Sequence, residues 1–150
     1  MVAGVHNWVR LEFPSKSENI SFARACAAAF ASQLDCTLED IEELKLVVSE
    51  AVSNSIIHGY GKRPDGVVTL EIRLQEEKTI EFVVEDKGCG IADVEQAMQP
   101  AYSSVSDRMG LGFVFMQSFM EEMEVTSEVG VGTRVRMHKS LLPVGEDFGE

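Results

Sequence analysis

Apolar and polar residues first alternate with a strand's period along this chain, then with a helix's. From His6 to Phe13, Val9, Leu11 and Phe13 share one parity and Trp8, Arg10 and Glu12 the other, which predicts a strand with one buried face. Pro14 ends it. Ser17-Glu18-Asn19 offers caps for an alanine-rich helix over Ile20–Leu34, with Phe22, Cys26 (or Ala25), Ala29, Phe30 and Gln33 at helical spacing. Thr37 caps a second helix, with Asp40 at its third position in place of the usual Glu. Ile41, Leu44, Val47, Val48, Ala51, Val52 and Ser55 form its inward stripe, which runs out at Gly59.

Two strand patterns follow, Val67–Leu74 and Thr79–Glu85, separated by a hairpin-length Gln75-Glu76-Glu77-Lys78. Asp86–Gly90 reads as a turn, Ile91–Gln99 as a short helix or turn, and Pro100–Met109 as a polar, flexible loop. A third helix is predicted from Gly110 to about Met120. Strands Glu122–Glu128 and Thr133–Lys139 meet at Val129-Gly130-Val131-Gly132. The order β-α-α-β-β-loop-α-β-β predicts an α+β two-layer sandwich, a mainly antiparallel mixed sheet with helices on one face. βαβ alternation is missing, and so is any GxxxxGK followed by Ser or Thr, which excludes a doubly wound fold and a P-loop. Residues 1–141 read as one domain and 142–150, with its acids, glycines and proline, as a flexible acidic tail.

Composition narrows the class. The chain has 150 residues, 45% hydrophobic and 25% charged, enough for a core without staples. Thirteen basic against twenty-five acidic side chains give −12, which repels a phosphate backbone and suits a basic protein partner better than nucleic acid. No apolar run is long enough for a membrane span and the N-terminus lacks a signal pattern, so a cytoplasmic location is expected. Cys26, Cys36 and Cys89 form neither a CxxC pair nor a zinc spacing and are expected as reduced thiols, the first two as small core residues.

Four segments carry candidate chemistry. In Ser49–Gly59, Glu50, Asn54 and His58 recur every four residues along one helical face. The Asn54 carbonyl oxygen suits one position of an octahedral Mg²⁺ that keeps phosphate oxygens as further ligands. Glu50, one turn away, can take a proton from a hydroxyl approaching a γ-phosphate. A solvated helix face is the alternative, and His58 fits a helix C-terminus better than a ligand role. Asp86-Lys87-Gly88-Cys89-Gly90 can aim a carboxylate at an adenine amine over backbone that lies close to the ring, although a plain turn has the same pattern. Arg108-Met109-Gly110-Leu111-Gly112-Phe113 puts two glycines at a helix opening, an anion site in outline. Gly130-Val131-Gly132-Thr133 can place a hydroxyl beside a base.

Taken in order, ExxxN, DxGxG, a loop closing on GxG, and GT resemble the GHKL superfamily of ATP-binding domains over roughly residues 8–140. Ser17–Arg24, Val47–Tyr60 and Gly112-Phe113 are closer still to the anti-sigma serine kinases of sporulating Firmicutes. That resemblance implies a protein serine kinase that uses ATP and Mg²⁺, binds a sigma factor (sigma F foremost), and phosphorylates its anti-anti-sigma antagonist. It implies Glu50 as catalytic base, Asn54 as Mg²⁺ ligand, Asp86 and Thr133 as adenine contacts, and Gly88 and Gly90 as pocket floor. It further implies Gly110, Leu111 and Gly112 as phosphate-binding backbone, Ser103, Ser104 and Arg108 in a lid, and Arg24 as a partner contact. Two departures stand out: the lid from Ala101 to Met109 is about two residues short of the family pattern, and Val105 stands where a lysine is expected.

Other readings are a non-catalytic, ATP-dependent sigma-binding module and a serine kinase serving a stress-response sigma factor. Histidine-kinase, chaperone and topoisomerase types need a phosphoacceptor hairpin or a transducer domain, for which 150 residues leave no room. The apolar edge strand near Trp8–Phe13 invites pairing between subunits, and family members are homodimers, so a homodimer is expected.

Overall fold

The computed structural model describes residues 4–99 and 107–141, with backbone alone at 107–111. The chain forms β1 (Val5–Pro14), α1 (Glu18–Ala31), α2 (Leu38–Asn54), a π-helical turn (Ser55–Gly59), β2 (Val67–Gln75), β3 (Thr79–Asp86), α3 (Val94–Ala97), α4 (Asp107–Phe119), β4 (Glu122–Glu128) and β5 (Gly132–Ser140). The five strands form one sheet in the order β1-β2-β3-β5-β4, and each of the four pairings is antiparallel. The expected α+β sandwich is therefore present, with no parallel pair among the described strands. The predicted tail 142–150 lies outside the described residues.

One sheet face carries Leu70, Ile72, Ile80, Phe82, Val84, Val135 and Met137 into the core, where they meet the helices. α1 packs on α2 and β2, while α2 packs on α4 and β3. α2 begins as its sequence dictates: Thr37 and Asp40 form a reciprocal capping box with bonds of 3.0 and 3.1 Å. Its stripe is buried at Leu44, Val47, Val48, Ala51, Val52 and Ser55.

α1 corrects the predicted stripe. Its buried positions are Ala23, Ala27 and Ala31, whereas Phe22 is 53% exposed and meets Phe13 edge-on with centroids 6.5 Å apart. A row of methyl groups lets α1 approach α2 closely, which phenylalanine at those positions would prevent. Cys26 and Cys36 sit half-buried at the margin of the core, where burial pushes both thiols above their ordinary pKa.

The opposite sheet face is charged. Glu81 is only 1% exposed there, bridged by Arg73 from β2 and Arg136 from β5. The β2–β3 turn places Glu77 and Lys78 at φ 58° and 54°, the left-handed pair of a tight hairpin, without the glycine that usually fills it.

Candidate functional site

Asp86 ends β3 on the helix-facing side and is 5% exposed. Burial pushes its pKa above the ordinary carboxylate value. Hydrogen bonds from the Gly88 N–H, the Ser55 hydroxyl and the Thr133 N–H pull it back, and the charge of Glu85 adds a small upward push. The Gly88 N–H lies 2.9 Å from Oδ1.

The π turn brings the end of the second helix to this carboxylate. The Tyr60 N–H reaches back to the Ser55 carbonyl at 3.0 Å, which widens the turn, and Gly59 then passes so close that a Cβ there would lie 2.9 Å from Asp86 Oδ1. Gly88 meets Gly59 in turn: its Cβ would fall 2.1 Å from the Gly59 carbonyl oxygen, which accepts the Cys89 N–H at 2.8 Å. Gly90 takes φ +78°, and a Cβ there would strike the Glu128 carbonyl at 2.2 Å. Gly90 lines the cleft as pocket floor would; Gly88 is instead packed against Gly59.

The cleft measures about 340 Å³, at the lower end of the range for ligand pockets. Asn54, His58, Asp86, Cys89 and Thr133 bring polar groups to its lining, and Ala51, Ile91, Ala97, Phe113 and Val135 supply apolar wall. Glu50 stands one turn before Asn54 on α2, outside the lining itself. Both face α4: a Cβ at Gly112 would lie 2.8 Å from Glu50 Oε1 and 3.5 Å from Asn54 Nδ2. Among the described residues that buried Nδ2 has no hydrogen-bond partner. An unbonded buried N–H donor is costly, so this Nδ2 calls for an acceptor such as an anionic oxygen, while a metal would be held by Oδ1 of the same carboxamide. Among the described residues no group of three or more His, Cys, Asp or Glu side chains could hold a metal ion. A metal here would therefore draw most of its ligands from substrate and water, with Asn54 Oδ1 as the protein oxygen, an arrangement that suits magnesium.

α4 begins at Asp107, ahead of the predicted Gly110, because the Asp-Arg-Met segment joins the helix and not the loop. Arg108 thus sits in the helix's first turn, with Gly110 and Leu111 just behind. Gly112 falls beyond the first four free N–H groups, so its missing side chain serves the approach of Glu50 more than an anion cradle. Ser103 and Ser104 lie outside the described residues. Arg24 is half-buried on α1, away from the cleft lining.

Thr133 pairs with Asp86 across β5 and β3, and Ser127 pairs with Thr133 across β4 and β5. Sequence reasoning missed three residues that support this corner. Ser55 reads as one more inward position, and its signal is a hydroxyl within an otherwise apolar stripe. The Tyr60 hydroxyl donates to the Val67 carbonyl and accepts the Lys87 N–H, both at 2.7 Å, which fixes the turn after Asp86. Ser127 receives the Ile91 N–H at 2.7 Å and touches Thr133 Oγ1 at 2.8 Å.

Residues 13–139 match the family model of the histidine kinase-like ATPase domain. An anti-sigma F factor of Clostridium novyi (strain NT) is 53% identical over 137 residues, covering 90% of this chain and 95% of that protein. One from Geobacillus kaustophilus (strain HTA426) is 44% identical over 91% of this chain and 94% of its own. Among solved structures, the RsbU and RsbW domains of a Mycobacterium tuberculosis protein superpose with a TM-score of 0.67 at 16% identity, over 91% of this chain and 33% of that one. A histidine kinase domain from a blue-light activated kinase of Erythrobacter litoralis gives 0.58 at 22% identity, over 85% and 61%. Both share the fold. The chain belongs to the anti-sigma F factor family and carries a histidine kinase-like ATPase domain.

Proposed function

We propose that this chain is an anti-sigma factor that binds a sigma factor, sigma F foremost, and uses Mg-ATP to phosphorylate a serine of its anti-anti-sigma antagonist. Family membership supports the first part. The observation that carries the chemistry is the unpartnered Nδ2 of Asn54, a buried donor open to a phosphate oxygen, one turn from Glu50 and at a cleft with Asp86 in its lining. In this reading Asp86 accepts the adenine 6-amino group, a contact that a 6-oxo purine cannot return. Thr133 and Gly90 border the base, and the first turns of α4 with Arg108, Gly110 and Leu111 border the phosphates. Asn54 would hold magnesium, which supplies charge neutralisation at the phosphate oxygens. Glu50 takes the serine proton as the hydroxyl approaches, and Gly112 leaves it room to do so.

Ser103 and Ser104 complete the proposed lid, and Arg24 is the proposed contact for sigma factor and antagonist in turn. Residues 1–141 make up the proposed kinase unit, working as a homodimer in the cytoplasm. Among the described residues no helix is long and apolar enough to cross a membrane. The test is transfer of label from radiolabelled Mg-ATP to the purified antagonist. Glu50→Gln is expected to retain ATP affinity and lose transfer by about 10²-fold or more, the scale of a general base. Transfer at the unmodified rate would remove Glu50 from that role, and no transfer by the unmodified chain would leave a sigma-binding module without kinase chemistry.

A further inference from the structure

Ser127, Thr133 and Asp86 stand side by side on β4, β5 and β3, so their side chains share one sheet face. That face borders the cleft, which both Thr133 and Asp86 line. The protons in this row can be assigned one by one. Ser127 Oγ lies 3.0 Å from the Gly132 carbonyl oxygen and 2.8 Å from Thr133 Oγ1, and it receives the Ile91 N–H at 2.7 Å. A carbonyl has no proton to give, so both contacts are hydrogen bonds together only when Ser127 donates its single proton to Gly132. Its lone pairs then take the Ile91 N–H and the Thr133 O–H. Thr133 has thereby committed its proton away from the cleft, and its Oγ1 offers only lone pairs there. The carboxylate of Asp86, which takes the Gly88 N–H at 2.9 Å, is likewise an acceptor.

We propose that Ser127 is a specificity-determining positioning residue: by holding Thr133 as an acceptor next to the acceptor Asp86, it selects a purine with a 6-amino group and rejects a 6-oxo purine. An amine carries two N–H groups for these two acceptors, whereas an oxo group meets lone pairs at both. This inference rests on the proposed seat of adenine at Asp86, and it assigns the selectivity to a residue that need not touch the base. In Ser127→Ala the proton sink is gone. The Thr133 hydroxyl then turns free to donate, and a 6-oxo group gains a partner where it had none.

The experiment titrates ATP and inosine triphosphate, an amine and an oxo group at the same ring position, into the full chain and its Ser127 variants. The unmodified protein is expected to prefer ATP. Ser127→Ala is expected to weaken ATP binding and cut the ATP-to-inosine preference about tenfold, the worth of about one hydrogen bond. Ser127→Thr, which keeps the hydroxyl, should restore the preference. Ser127→Cys keeps the volume with a poorly bonding sulfur and carries the alanine expectation should alanine cost the fold. Variants that weaken both nucleotides equally, with the ratio kept, would show that Ser127 only braces the loop at Ile91 and would overturn the proposal. An unmodified protein that binds the two nucleotides alike would instead overturn the adenine seat on which it rests.

Discussion

Gly88→Ala isolates one contact on which the corner around Asp86 depends. Gly88 is not at positive φ, so alanine brings no backbone strain of its own and the change tests space alone. Its Cβ would lie 2.1 Å from the Gly59 carbonyl oxygen, 2.4 Å from that carbonyl carbon and 2.7 Å from Gly59 Cα. All three are backbone atoms, so no rotamer relieves the clash, and the π turn must move off the loop after Asp86. Such overpacking costs about 1–3 kcal/mol. Parting the bond from the Cys89 N–H to Gly59 adds about 1 kcal/mol, and the lost freedom of the unfolded chain returns about 0.5 kcal/mol. The net is about 1.5–3.5 kcal/mol, a fall in Tm of about 3–14 °C for a chain of this size. Urea unfolding gives the first quantity and calorimetry of ATP binding the second, which should fall with it because Asp86 and Gly59 shift together. Gly61→Ala is the control: φ there is +60° and no atom lies within 4 Å of its Cβ, so it costs about 1–2 kcal/mol and keeps ATP affinity. A Gly88→Ala protein within about 0.5 kcal/mol of the unmodified one, binding ATP normally, would refute the argued contact.

Two further outcomes follow from the same geometry. Gly112→Ala places a methyl group 2.8 Å from Glu50 Oε1, the far end of a flexible side chain, so stability should change by less than about 1 kcal/mol while phosphotransfer falls at least tenfold; unaltered transfer would show that the position of Glu50 is unimportant. Asp86 has a raised pKa in the folded state, so its contribution to stability is full below the unfolded carboxylate value and is lost as pH rises through the folded one. Asp86→Asn should therefore gain stability relative to the unmodified chain as pH rises from about 4 through that window. ATP affinity of the unmodified chain should weaken as pH falls through it, and urea unfolding at several pH values would contradict this if the gap widened toward acid.

Much of this was legible in one dimension, for identifiable reasons. The periods of 2 and 3.6 found the strands and α2 because each buries a single face, and Thr37 with Asp40 marks the start of α2 through a local bond that needs no tertiary context. α1 was misread at Phe22 because side-chain size suggests burial, whereas close helix packing selected the alanines. The start of α4 was set at Gly110 because Asp107-Arg108-Met109 continues a polar run that reads as loop, whereas it forms the helix's first turn here. Glu50, Asn54 and Asp86 were visible because their spacing is local. Ser55, Tyr60 and Ser127 were not, since their partners at Asp86, Lys87 and Thr133 are set by the π turn and by strand register, which no window of sequence contains.

The central claim is that the cleft seats a magnesium–adenosine nucleotide, with the purine amine on Asp86 and the metal on Asn54. Isothermal calorimetry of the full chain with ATP and with GTP, each with and without magnesium, tests it most directly. Saturable one-site heat is expected for ATP, strengthened by magnesium, with binding of GTP weaker by an order of magnitude or more. Absence of heat with Mg-ATP, or equal binding of the two nucleotides, would contradict it.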